Sequence, residues 1–229
     1  MFIHKPPKIK IPEIYDTTTE DGRTYKVDGG KIYPSITTVL SINDQEWLTE
    51  WRNAVGEPKA REISDIATIQ GNAVHDMAEK YLDNEAMKDI LINREEEHKF
   101  MFHQLRLELK HINNIVLQEV GLYSHVLKTA GRVDCIGEYK GMPAIIDFKT
   151  SSNIKERDKI SNYFKQGAAY SLMWYELTGI TIDKVVILMA VKNSLSPLCF
   201  IEPVDKWINP LQSDINRFLS SAHKLEVIL

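Results

Sequence analysis

With 229 residues, 43% hydrophobic and 26% charged, the chain is long enough to bury a substantial core, as one domain or one domain with an added lobe. Two cysteines are too few for a disulfide framework, a zinc site or an iron-sulfur cluster of four cysteines. The net charge of −4 argues only weakly against a nucleic-acid partner, because binding depends on where lysines and arginines cluster.

No apolar run approaches the roughly 20 residues of a membrane span. The opening Met-Phe-Ile-His-Lys-Pro-Pro lacks the apolar stretch of a signal peptide, so a soluble, cytoplasmic protein without membrane association is expected. In chain order, the first thirteen residues, with Pro6, Pro7 and Pro12 and the basic stretch Lys5 to Lys10, read as an extended, poorly ordered arm. Residues 14–33 carry turn signals at Glu20-Asp-Gly-Arg and Asp28-Gly-Gly, which predict a small β-meander. Tyr33 to Leu40 (YPSITTVL) reads as a loop entering a helix, with Ser35 or Thr37 as its cap. Residues 44–83 are helical in pattern, broken near Gly56-Glu-Pro58, and contain Gln70-Gly-Asn-Ala-Val-His75. Gly71 there is expected to allow a close backbone approach. In residues 85–119, Phe100, Phe102, Leu105, Leu109, Ile112 and Val116 recur at helical spacing, which predicts charged amphipathic helices. The polar segment Asn93 to Lys99 is expected to form an exposed arch over a groove, and the first core strand is expected to begin at Glu119.

Gly131 to Thr150 (GRVDCIGEYKGMPAIIDFKT) reads as two strands joined by a turn at Lys140-Gly141. A symmetric register sets Asp134 opposite Asp147, with Lys149 on the same face by the strand period of two. Ile146, Phe148, Val133 and Cys135 are then expected to turn towards the core. Two facing carboxylates repel unless a cation or proton lies between them, which makes a divalent metal site the economical explanation. The plainer alternative is a hairpin with a wet polar face, on which Lys149 offsets the two aspartates. The same register sets Arg132 opposite Lys149, an unfavourable pair unless an anion spans both. Carboxylates for a metal beside cations for an anion suit phosphodiester chemistry.

Beyond the hairpin, Ser151 to Asp158 is a polar loop suited to a phosphate backbone. Lys155, Arg157, Lys159 and Lys165 make a second basic stretch. Lys159 to Thr178 predicts a helix closed by Gly179, on which Gln166 and Tyr170 share a face. Ile182 to Val191 predicts a buried central strand, Leu198 to Val204 a further strand, and Pro210 to Leu225 a closing amphipathic helix.

Five segments occur in order: YPSITTVL, QGNAVH, GRVD, IIDFKTS and QGAAY at Gln166 to Tyr170. Together they resemble the PD-(D/E)XK nucleases, more narrowly the RecB-like exonuclease branch with its mitochondrial genome maintenance and phage members. The resemblance implies an α/β fold: a restriction-endonuclease-like core with a central mixed sheet flanked by helices, behind an N-terminal meander and helical lobe. Its divisions would fall at 1–32, 33–118 and 119–229. It implies a metal-dependent DNA exonuclease acting on single-stranded DNA or DNA ends, with Mg²⁺ or Mn²⁺ and no iron-sulfur cluster. His75, Asp134, Asp147 and the carbonyl of Phe148 would be metal ligands, with Glu119 a further ligand or base. Asp134, Asp147 and Lys149 would be catalytic, with Gln166 and Tyr170 at the rim. Ser35, Arg132, Thr150, Ser151 and Ser152 would contact the substrate. Partners in replication or recombination are implied, and a bacterial host cell if the chain is phage-encoded. Two alternatives remain open: a structure- or site-specific endonuclease on the same core, and a non-enzymatic single-strand-binding accessory protein.

Overall fold

A computed structural model describes residues 1–226. Residues 3–5 run beside the edge of the main sheet through a His4–Ile115 bridge, with Lys5 N–H donating to Ile115 O at 2.6 Å. The arm is therefore pinned rather than loose. Next come β1 (Tyr15–Thr19), β2 (Gly22–Lys26) and β3 (Ile32–Pro34), paired as the expected meander. Ser35 caps α1 (Ile36–Leu40) by accepting the Thr38 N–H at 3.0 Å.

Helices α2 (Gln45–Val55) and α3 (Glu57–Leu82) meet at Gly56, whose φ of 82° only glycine adopts freely, followed by Pro58 in the first turn of α3. No residue of α2 is buried, and α3 buries only Ala60 before Gln70. This hairpin stands out from the body, whereas the segment expected to arch, Asn93 to Lys99, does not. Arg94 pairs there with Asp76 of α3, and Ile90 of α4 (Met87–Leu91) is fully buried beneath. Helix α5 (Glu96–Leu109) ends earlier than the apolar stripe suggested, and β4 runs from Ile112 to Ser124. Ile112 and Val116 are thus strand residues, and the first core strand starts before Glu119. β-Branched residues, stiff at χ1, pack well on a pleated surface, and here sheet pairing overrides a spacing that fits both periods.

The main sheet has the order β4-β5-β6-β7-β8, with β5 (Thr129–Tyr139), β6 (Met142–Ser151), β7 (Lys184–Val191) and β8 (Leu198–Pro203). All neighbours are antiparallel except β6 and β7, which are parallel and joined through α6 (Ser161–Thr178). Gly179, at φ 73°, closes α6 as expected. Helix α7 (Asp205–Glu226) follows β8. One core packs α1, α6 and α7 on one side of the sheet, and a second packs α3, α4 and α5 on the other. The expected α/β architecture, a mixed sheet between helices, is what the chain forms. Among the described residues no helix is long and apolar enough to cross a membrane.

Candidate active site

The β5–β6 hairpin has the expected register: Tyr139 pairs with Met142 and Cys135 with Ile146. The loop residues Lys140 and Gly141 both have positive φ, 51° and 78°, the geometry of a tight primed turn that sets the pairing. The ladder stops at the next step. Asp134 and Asp147 would pair there, but Asp134 Oδ2 instead accepts the Phe148 N–H at 2.7 Å. On the other side of β5, Glu119 leaves the β4 ladder with a φ of 51°. This irregularity turns side chains: Val133 packs in the α6-side core and Cys135 in the opposite one. The expectation that both share one core face fails because alternation breaks at Asp134. For the same reason Arg132 and Lys149 form no like-charge strand pair. Arg132 lies opposite Gly121 and donates through Nη1 to Glu119 O at 3.0 Å.

Four elements converge here, α3, β4, β5 and β6. His75, from α3, brings Nδ1 to 3.7 Å from Asp134 Oδ2 and 3.9 Å from Glu119 Oε1. Ligand atoms of His75, Glu119 and Asp134 lie within 4.8 Å of one another. Phe148 sits edge-on to the imidazole, ring centres 6.0 Å apart, and is fully covered. Asp147, 1% exposed, has both oxygens buried, and its charge is met by Lys149 Nζ at 2.5 Å from Oδ2. A hairpin with a wet polar face is therefore ruled out.

The charges shape one another. Burial pushes the Asp147 carboxyl up to about 6, against the pull of Lys149 and with a further push from Asp134. For His75, burial opposes protonation, but Asp134 and then Glu119 outweigh it and raise it to about 8. Burial also disfavours the Lys149 cation, yet Asp147 and Asp134 hold it above its ordinary value. One imidazole and the Glu119 and Asp134 carboxylates face a single point, with the buried Asp147–Lys149 pair close by. That donor set fits a hard divalent cation, and its imidazole suits manganese better than magnesium.

A cleft of about 450 Å³ opens over these groups, with Asp134, Lys149, Gln166, Tyr170 and Arg132 in its walls. Gln166 Nε2 donates to the Tyr170 hydroxyl at 3.2 Å, and both are buried. The hydroxyl fills the space left by Gly131, where an added Cβ would lie 2.8 Å from it. Ser35 reaches the cleft wall, but its hydroxyl is engaged with Thr37, Thr38 and the α1 cap. Gly71 lines the cleft too. A Cβ there would meet only Thr150 Oγ1 at 3.7 Å, so close packing against the protein does not require the glycine. Thr150, Ser151 and Ser152 are not in this wall; Ser151 Oγ instead donates to Asn153 O at 2.6 Å.

Sequence reasoning missed Arg23 and Tyr25, which β2 presents to the cleft, and Thr68, Asn72, Asp76 and Glu79 of α3. The α3 residues recur with Gly71 and His75 at helical spacing, a signal present in the sequence. Tyr163 was missed as well: Lys149 Nζ lies 5.1 Å from its ring centre. It shares a helical face with Gln166 and Tyr170.

No known family's sequence profile matches the chain. Over 134 residues the chain is 27% identical to mitochondrial genome maintenance exonuclease 1 of Homo sapiens, covering 54% of this chain and 38% of the relative's length. A crystal structure of a candidate exonuclease from Eubacterium rectale superposes with a TM-score of 0.46 at 17% identity. It covers 67% of this chain and 66% of that one, a likeness too loose to bear on the site. The resemblance to exonucleases carried by the five sequence segments is thus met again in a direct comparison of sequence with a protein of that name.

Proposed function

We propose that this chain is a metal-dependent deoxyribonuclease that hydrolyses phosphodiester bonds, working as an exonuclease on single-stranded DNA or DNA ends in replication, recombination or repair. One observation carries the reading: ligand atoms of His75, Glu119 and Asp134 lie within 4.8 Å of one another, and the buried Asp147 carboxylate beside them is met by Lys149. The sequence similarity to a protein named an exonuclease supports it.

His75, Glu119, Asp134 and Asp147 would hold Mg²⁺ or Mn²⁺, with the Phe148 carbonyl as a further oxygen. Bound there, such an ion supplies charge neutralisation at a phosphate and a more acidic water. Lys149, kept protonated by Asp147 and Asp134, orients the attacking water and offsets charge gathering on the attacked phosphate. Gln166 and Tyr170 hold one edge of the cleft through their mutual hydrogen bond and steady the strand. Arg132 and Arg23 face the same cleft, where guanidinium forks suit neighbouring phosphates.

The test is cleavage of end-labelled linear and circular single-stranded DNA with Mg²⁺, Mn²⁺ or EDTA. Metal-dependent loss of the linear strand alone is expected. Cutting of the circle as well would make the enzyme an endonuclease, and no cleavage with any metal would contradict the nuclease reading.

A further inference from the structure

Lys149 has a second neighbour besides Asp147: the ring of Tyr163, 5.1 Å from Nζ to centroid. Tyr163 also lines a separate open groove of about 650 Å³ between α2 and the segment that leads into α6. Trp47 stands in that groove 61% exposed, with its ring parallel to that of Trp51 at 6.0 Å and an interplanar angle of 6°. Ile154, opposite, is 71% exposed. Two large apolar side chains exposed in one groove form a patch of the kind that marks an interaction site.

The charges narrow what binds there. Of the basic stretch at 155–165, Arg157 is taken up by Glu202 and Lys165 is buried against Asp214 at 2.5 Å. Lys155 and Lys159 line the groove and have no ion-pair partner among the described residues. Of the groove's two acidic residues, Asp44 is held by Asn162 Nδ2 at 3.0 Å, and Glu156 is exposed. Flat apolar rings beside free ammonium groups match a polyanion that carries aromatic bases.

Resting on the nuclease reading above, we propose that this groove is a second binding track for the single-stranded substrate, meeting Lys149 of the catalytic cleft at the Tyr163 ring. Bases stack on Trp47 while Lys155 and Lys159 take the phosphates, so a strand engaged at Lys149 is held further along its length. Such stacking tolerates any sequence, since every base has a π face.

The experiment compares the parent with Trp47→Ala and with Lys155→Ala/Lys159→Ala. Each protein is titrated in EDTA with fluorescein-labelled oligothymidylate of roughly 4 and roughly 20 nucleotides, below and above the usual span of one site. Affinity for the longer strand should fall about tenfold in each variant while the shorter one binds as before. Quenching of tryptophan emission by the longer strand should be lost in Trp47→Phe. Equal affinity of parent and variants for the longer strand, with cleavage intact, would overturn the track and leave the nuclease reading standing. A parent that neither binds nor cleaves would overturn both. A parent dimer that Trp47→Ala makes monomeric, with strand affinity unchanged, would overturn the track in favour of a second copy of this chain.

Discussion

Asp134 Oδ2 accepts the Phe148 backbone N–H at 2.7 Å, at the step where the β5–β6 ladder ends. A side chain thus takes the place of a strand carbonyl, and Asp134 faces a common point with His75 and Glu119. That substitution of one acceptor for another ties the sheet's geometry to the chemistry of the cleft. Asp134→Ala leaves the Phe148 N–H buried and unpaired. It should cost about 1–3 kcal/mol of stability besides abolishing cleavage, read by urea denaturation of the metal-free protein.

Lys149→Met removes the cation paired with buried Asp147. Turnover should fall at least ~100-fold, while Mn²⁺ still binds in calorimetry. The metal-free variant should lose about 3–5 kcal/mol near neutral pH, because an uncompensated charge stays buried. The pH dependence follows from Asp147, whose folded value is raised from 3.8 to about 6. A raised value favours the protonated group in the fold, so metal-free stability contributed by Asp147 is present below 3.8 and lost as pH rises through about 6. Without Lys149, which pulls the Asp147 value down, that value should rise further, so the cost of Lys149→Met should shrink as pH falls towards about 6 and level off below it.

His75 is held protonated up to about 8 by Asp134 and Glu119. A nitrogen must lose that proton to bind a metal, so Mn²⁺ affinity should rise by up to about tenfold per pH unit below 8 and level off above it. Titration calorimetry in buffers of different ionisation heat reads the released proton. In His75→Ala this dependence should flatten; an unchanged slope would remove the imidazole from the ligand set.

Gly167, in QGAAY, is pressed against β7: an added Cβ would lie 2.8 Å from Val185 Cγ2. Gly167→Ala should cost about 1–3 kcal/mol by overpacking, and Val185→Ala in the same chain should recover much of it. Thermal unfolding of the two single variants and the double variant forms the cycle that checks this.

The hairpin register was legible as far as Cys135 and Ile146 because Lys140-Gly141 is a turn whose chemistry sets pairing, and Lys149 follows Asp147 by the strand period of two. The break in alternation at Asp134 was not legible, since nothing in Arg132-Val-Asp-Cys distinguishes a regular strand from one that twists at its end. The start of β4 was hidden because Ile112 and Val116, four residues apart, satisfy a helix as well as a strand. Glu119 gained its place by a positive φ within a strand, which an acidic residue does not announce. Arg23 and Trp47 are brought to the cleft and the groove by elements distant in sequence from the hairpin. Only the packed chain shows them.

The most direct test is the position of manganese in crystals soaked with Mn²⁺, located by anomalous scattering. A peak within bonding distance of His75 and of the Asp134 and Asp147 carboxylates is expected, lost in Asp147→Ala together with cleavage. A peak elsewhere, or none at a concentration that supports cleavage, would contradict the account.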